Sequence, residues 1–383
     1  MTRTNAARVQ LINGLRAAKD IGHGRFLSDV VQENLTRIWE GSHRSEWIYI
    51  RSGFISGLDR PEGPLLPRLI QSKGLQLRLL LLMIFNEQCT LDWTPYTVPG
   101  RRVTPKHGDT RLSWLQLVLT DAAPARGTGR TASDLRARQI SEAIRGLEKH
   151  RVLTVPRDRQ RQGRRSYDLQ RLKAEDGTSA EYGYTKPDHD HAVPVSRHFF
   201  TNLWLFALTD SEIATYLVLS LLRWRHAREH KLMGVYLTAE RRQTEFRLSR
   251  HAWRSTELLH RFGVVDRRPD PNRNFLTGKV ANFAAMWADK EVRPLYYTFN
   301  DEALKRPAVE TVYQILTRPN ANDAVRRLGL PPIPQWWQPP LDGLDLLPGE
   351  RPPRRTRLAS YDSRLDDLQH EINQRRWDEG GEE

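Results

Sequence analysis

The sequence predicts a mainly α chain with short β-wings, an α+β class, and three observations carry that expectation. Ile213, Ala214, Tyr216, Leu217, Val218, Leu219, Leu221, Leu222 and Trp224 make one stretch apolar nearly all round, the pattern of a helix buried on every side. A helix with one apolar and one basic face runs straight into an apolar pair, Val264-Val265, and a similar arrangement precedes Val152-Leu153. Polar, turn-rich tips follow both pairs, at Pro269 to Asn274 and between Val155 and Tyr167.

The second of these regions reads in order as follows. Thr209 caps the buried helix and Glu212 reaches back to it. Val235-Tyr236-Leu237 forms a short strand, and Thr238 caps a polar helix ending near Phe246. Arg247-Leu248 turns the chain, Ser249 caps a third helix to about Phe262, and Gly263 stops it. Val264-Val265 begins a strand that returns through Lys279 to Phe283. Helix, strand, helix, turn, helix and two-stranded wing resemble a winged helix, the helix-turn-helix variant that reads DNA with its third helix. On that third helix Leu248, Ala252, Ser255, Leu259 and Phe262 give a core stripe. Arg250, Arg254, Glu257 and Arg261 lie about 200° round from it by the 3.6-residue period. His251 beside them, with Arg267, Arg268 and Arg273 on the wing, completes the DNA-facing set of this unit. A solvated helix carries such a face too, so the argument rests on repetition.

A shift of 112 residues brings Arg138, Glu142, Arg145 and Lys149 onto Arg250, Arg254, Glu257 and Arg261 without a gap. Leu147, Val152 and Leu153 fall on Leu259, Val264 and Val265. Each stripe holds three bases and one acid. Internal duplication accounts for this better than chance, and the sequence therefore predicts two winged-helix domains in tandem. The spacing between first and third helices is larger in the first copy, where two polar loops intervene.

The 383 residues suffice for two or three domains. A formal charge of +14 points to a polyanionic partner, most often nucleic acid. Because arginine outnumbers lysine 50 to 10, a GC-rich coding sequence alone can raise the total. Clustering is the better guide: residues 101–170 carry a net of +9 and residues 240–275 a net of +4. The single cysteine, Cys89, excludes a disulfide framework and a cysteine zinc site. The N-terminus lacks an apolar signal core, and the longest apolar run, Leu79 to Phe85, is far shorter than the roughly 20 residues of a membrane helix. The expectation is a cytoplasmic, nucleoid-associated protein without membrane partners.

Six segments follow: a helical arm (1–60), the first winged helix (61–172), a linker (173–195), the second winged helix (196–290), an accessory strand and helix (291–330) and a tail (331–383). In the arm, Val9, Ile12 and Leu15 make one stripe, and Leu27, Val31, Leu35 and Ile38 another, separated by Gly22 and Gly24; Trp47 to Ile50 reads as a strand. The arm either packs on the first domain or forms a homodimer. Leu75 to Phe85 is the first domain's buried helix, Ser113 to Thr120 a short helix, and Ala132 to His150 the reading helix. The first wing carries Arg157, Arg159, Arg161, Arg164 and Arg165 with Asp158, and Gly163 is free to turn. Such a tip is either a solvated loop or a wing on the phosphate backbone or in a minor groove, which suits the residues better. In the accessory region Val292 to Phe299 reads as a strand, and Pro307 opens a helix with Val309, Val312, Tyr313 and Leu316 on one face. The tail holds five prolines around Trp336-Trp337, four arginines between Arg351 and Arg357, a helix from Ser363 to about Trp377, and an acidic end.

No catalytic signature is present: neither GxxxxGK[ST], GxSxG, HExxH nor paired cysteines. His189-Asp190-His191 lacks the strand context of a metal site, and Tyr296-Tyr297 read as ordinary strand residues rather than nucleophiles. No cofactor is expected. Two winged helices in one basic chain, with stretches such as Leu208-Thr-Asp-Ser-Glu-Ile-Ala and Leu258-Leu-His-Arg-Phe-Gly-Val-Val-Asp-Arg, resemble the replication initiators of theta-replicating plasmids and mobile elements over residues 65–285. That resemblance implies binding of double-stranded origin repeats through both domains and recruitment of host replication proteins. A winged-helix transcriptional regulator of a mobile element and an architectural or partition protein share the same parts.

Overall fold

The computed structural model describes residues 3–20, 24–42, 45–57, 62–72, 74–89, 101–106, 108, 110–120, 131–155, 157–158, 164–165, 170–177, 184–267 and 295–317. All belong to one unit spanning residues 1–340. The proline- and tryptophan-rich stretch and the terminal helix of the tail lie outside the described residues.

The chain begins with α1 (Arg3–Ala17) and α2 (Leu27–Glu40), whose connection is closed by a Lys19–Phe26 bridge. Ile12, Leu15, Leu27, Val31 and Leu35 of the expected stripes are buried. Strand β1 (Trp47–Arg51) leads into α3 (Ser52–Ile55), α4 (Leu65–Gln71) and α5 (Gln76–Gln88). Every residue of α5 from Leu79 to Asn86 is buried, as the apolar run from Leu79 to Phe85 requires. Trp114–Gln116 is a single 3-10 turn, shorter than the helix expected over Ser113 to Thr120. The carbonyls of Leu115 and Val118 accept instead from the Arg136 guanidinium, at 2.6 and 2.9 Å. Helix α6 (Ala132–Lys149) starts in a reciprocal cap between Thr131 and Asp134. Beyond it β2 (Leu153–Thr154) pairs with β5 (Arg171–Leu172), and β3 (Arg157–Asp158) with β4 (Arg164–Arg165). Two short antiparallel pairings thus lie where the first wing was expected, the β2–β5 pair outside the stretch between Val155 and Tyr167 and the β3–β4 pair within it.

The second half opens with β6 (Ala192–Ser196), α7 (His198–Thr201), α8 (Trp204–Ala207) and α9 (Asp210–Arg225). Thr209 and Glu212 form the expected capping box, and Glu212 to Leu222 are buried without interruption. Then come α10 (Ala227–Leu232), α11 (Ala239–Thr244) capped by Thr238, α12 (Arg250–Trp253) capped by Ser249, and α13 (Thr256–Arg261). Gly263, at φ +73, ends the run in the left-handed region open to glycine. Strand β7 (Val265–Arg267) and β8 (Tyr297–Phe299) precede α14 (Ala308–Thr317).

Four expectations are corrected here. The strand predicted over Val235–Leu237 is one bridge, from Val235 to Tyr297. The strand that pairs with β7 is β8, from the accessory region; Lys279 to Phe283 lie outside the described residues. The arm does not rest on the first domain alone: α1 packs along α14, with Arg16 Nε 3.0 Å from Glu310 and its guanidinium 3.7 Å over Tyr313. Arg8 pairs with Glu212, the capping residue of α9. Residues 173–195 are more than a linker. β6 pairs antiparallel with β1, Tyr49 opposite Pro194, and Glu175 is fully buried against Arg51. In the described part of the polar segment before β6, position comes from long-range pairing, as of Glu175 with Arg51, rather than from a repeating face.

Glu87, near the end of α5, offers a pH test. Burial raises its carboxyl from 4.5 to about 7, and Arg101 offsets this only in part. A raised carboxyl contributes stability that is present below its ordinary pKa and is lost as pH rises through about 7. Glu87→Gln is therefore expected to raise the melting temperature above that of the parent at about pH 8 and to leave it unchanged at about pH 4. An equal shift at both values refutes the assignment.

Candidate nucleic-acid interface

The two candidate reading helices can be compared position by position at the 112-residue shift. Ile140, Ile144, Leu147, Val152 and Leu153 are buried, and so are their counterparts Ala252, Thr256, Leu259, Val264 and Val265. Arg138, Glu142 and Arg145 are exposed, as are Arg250, Arg254 and Glu257. The compared positions face inward and outward alike in the two helices.

On α6, the stripe of Arg138, Glu142, Arg145 and Lys149 faces solvent. Arg138 Nε donates to Glu142 at 2.8 Å, with both side chains more than half exposed. An exposed pair one helical turn apart holds only a few tenths of a kcal/mol, so Arg138 can exchange this partner for a phosphate at little cost. The core side of α6 is not wholly apolar. Arg136 sits one turn before Ile140 and is buried, and burial lowers its pKa to about 10. Arg101 is likewise spent internally: it donates to Asn86 at 2.7 Å and to the Leu112 carbonyl at 2.8 Å. Part of the positive charge between residues 101 and 170 thus holds loops and is not available to a partner. The spacing of Arg136 with Ile140 and Ile144 was the signal that would have separated it from the surface arginines.

The second candidate helix is built on α9. Thr215 Oγ1 donates to the Ala252 carbonyl at 2.9 Å, and Arg242 Nη1 donates to the Leu248 carbonyl at 2.6 Å, which fixes the turn. Arg250, His251 and Arg254 project from the exposed side. The single helix expected from Ser249 to Phe262 is divided at Arg254-Ser255. There Ser255, Glu257 and Leu258 donate to carbonyls three residues back instead of four. Each such step turns the chain about 20° further than an α-helical one. The later residues rotate away from the stripe, and Arg261 is half-buried, with Nη2 reaching the Ile315 carbonyl of α14 at 3.4 Å. Burial lowers its pKa. Arg261 belongs to the packing of α14, which corrects its expected place on the stripe.

Of the arginines expected on the second wing, Arg267 is placed inward. Arg267 is only 11% exposed and lies 4.0 Å from Glu257, so it braces β7 against α13 instead of facing outward. Tyr297 is buried in β8. In the segment expected as the first wing, the pairing sets Arg157 opposite Arg165 and Asp158 opposite Arg164. Arg159, Arg161, Arg268 and Arg273 lie outside the described residues. No described helix is long and apolar enough to cross a membrane.

Comparison of the chain with family models, with curated proteins and with solved structures found no match.

Proposed function

We propose that the chain is a sequence-specific double-stranded DNA-binding protein that reads duplex DNA with two winged-helix units. The observation that carries the reading is the repeated outward stripe: Arg138, Arg145 and Lys149 on α6, Arg250, His251 and Arg254 on α12 and its continuation, each set on a helix whose opposite face is core. The sheet of the second unit supports it. Tyr297 bridges Val235 on one side and pairs with Arg267 on the other, so the last strand lies between the first two. The order helix, strand, helix, turn, helix and wing then closes on one small sheet, with the third helix exposed. Element order supports duplication as well. β1, α3, α4, α5, α6, β2 and β5 correspond in order to β6, α7, α8, α9, α12 with α13, β7 and β8; a 3-10 turn stands between α5 and α6 where α10 and α11 stand between α9 and α12, and β3 and β4 are additional in the first unit. The leading strands of the two copies pair antiparallel, the relation a local twofold would produce. On this reading the first unit begins at Trp47.

Purified protein is expected to enrich a subset of sites from a random duplex pool in buffer containing a chelator. Equal retention of all duplexes, or loss of binding in the chelator, overturns the proposal. Replacement of Arg164 and Arg165 by alanine is expected to weaken specific and random DNA alike. It flattens the slope of log affinity against log salt by about 0.9 for each phosphate that is no longer neutralised. A changed site preference with an unchanged slope would instead assign the wing to base reading.

Within this function we assign the chain to replication initiation on a plasmid or mobile element, acting with host replication proteins. The test is maintenance of a replicon that lacks its own initiator, carries the DNA flanking this gene, and receives the protein in trans. Loss of the replicon with repression of a flanking promoter assigns the protein to transcriptional regulation.

A further inference from the structure

The turn between α11 and the reading helix of the second unit is held by the first unit. Glu245, at the end of α11, is 1% exposed. Its carboxylate accepts from Arg225 and Arg241 of its own unit and from Ser56 Oγ, at 3.0 Å, just after α3. The Glu245 carbonyl accepts from the Gly57 amide at 3.2 Å. Two residues on, Arg247 adopts φ +45 and donates Nη1 to the Glu62 carbonyl at 3.0 Å. Gly63 makes room for it, since a Cβ there would fall 2.5 Å from Arg247 Nε. A buried carboxylate with partners on both sides accepts few alternative geometries, because any displacement strands a desolvated charge. Three bonds from a segment between α3 and α4 therefore bear on the four residues that aim α12.

We propose that Glu245, with Ser56 and Arg247, is an interlock that sets the pose of the second reading helix against the first unit, so that the protein dictates the spacing between the two parts of its DNA site. This rests on the DNA-reading function above. Glu245 acts as a positioning residue, through the turn and not by touching DNA. Each inserted base pair displaces one part of a site by about 3.4 Å and turns it by about 35°. An interlocked pair of reading helices tolerates neither change, whereas a hinged pair accommodates one of them.

The test is the double variant Ser56→Ala/Arg247→Gly in the full chain. It removes the side-chain bonds that the segment between α3 and α4 makes to this turn, leaves Arg78 on Leu208 and Asp210 and the β1–β6 pairing in place, spares the Glu245 cluster with Arg225 and Arg241, and relieves the left-handed backbone at position 247. Arg247→Gly alone serves if the double variant does not fold. Two readouts are taken. Spin labels at Lys149→Cys and His251→Cys report the distance between reading helices without DNA, Cys89 being buried. Affinity for the selected site is measured with one base pair inserted or removed between its parts. The expected parent behaviour is one narrow distance and a loss of about tenfold or more per altered spacing. The variant is expected to show a broadened distance and a loss of less than about threefold. A distance as narrow as the parent's, or a parent indifferent to spacing, overturns the interlock. A broadened distance in a protein without sequence preference upholds the interlock and removes the DNA function instead.

Discussion

Glu175→Ala is expected to destabilise the fold by about 3 kcal/mol, in the range for breaking one side of a buried ion pair. Glu175 is fully buried, and its carboxylate accepts from the Arg51 backbone amide at 2.8 Å and from Arg51 Nη1 at 2.7 Å. Arg51 ends the strand that pairs with β6, and its Nη2 donates to Thr185 at 2.6 Å through the carbonyl and at 2.9 Å through the hydroxyl. Removing the carboxylate strands a guanidinium that is 11% exposed, with Asp176 at 3.9 Å as its remaining acid, and leaves a strand-end amide without its acceptor. The midpoint of urea unfolding, extrapolated linearly, measures the loss. The paired replacement Arg51→Met/Glu175→Leu provides the control. It removes both charges, fills the space, and is expected to cost less than about 1 kcal/mol, since the pair's own desolvation cancels much of its attraction. Similar losses in both variants would mean that packing, not the stranded charge, is what matters at this site.

Arg250→Ala and Arg254→Ala are each expected to lower affinity for the preferred duplex by about 1–3 kcal/mol while changing affinity for random DNA much less. Both guanidiniums are exposed and stand on a helix capped by Ser249 and tied through Ala252 to the buried α9. A side chain on a braced helix can present two parallel donors to a guanine edge, and that geometry carries sequence information. Arg261→Ala separates this account from one based on charge alone. It removes the same charge from the neighbourhood, but its guanidinium is turned to the Ile315 carbonyl. It is expected to alter thermal stability and to leave site preference intact. Equal effects of all three substitutions on specific and random DNA would reduce the helix to a phosphate-binding role. Arg138→Ala and Arg145→Ala then decide whether α6 reads bases or only clamps the backbone.

Much of this architecture is determined by the sequence itself. The capping residues Thr209, Thr238 and Ser249 begin their helices where the residue types place them, because a cap is satisfied within three residues. The runs of α5 and α9 that are apolar nearly all round are buried because no broad polar face exists to leave in water. The repeated pattern of core and surface positions at a shift of 112 is likewise carried by local periodicity. Tertiary structure alone decided the rest. Glu175 and the β1–β6 ribbon depend on partners more than 120 residues apart, which no local spacing encodes. Arg136, Arg261 and Arg267 have the same side chain as the exposed arginines, and only the carbonyls and acids of distant or adjoining elements turn them inward. An arginine's long stem and fixed fork suit both fates. Its sequence position states that a charge is present; the fold decides whether that charge faces a carbonyl of the protein or the solvent in which a partner would lie.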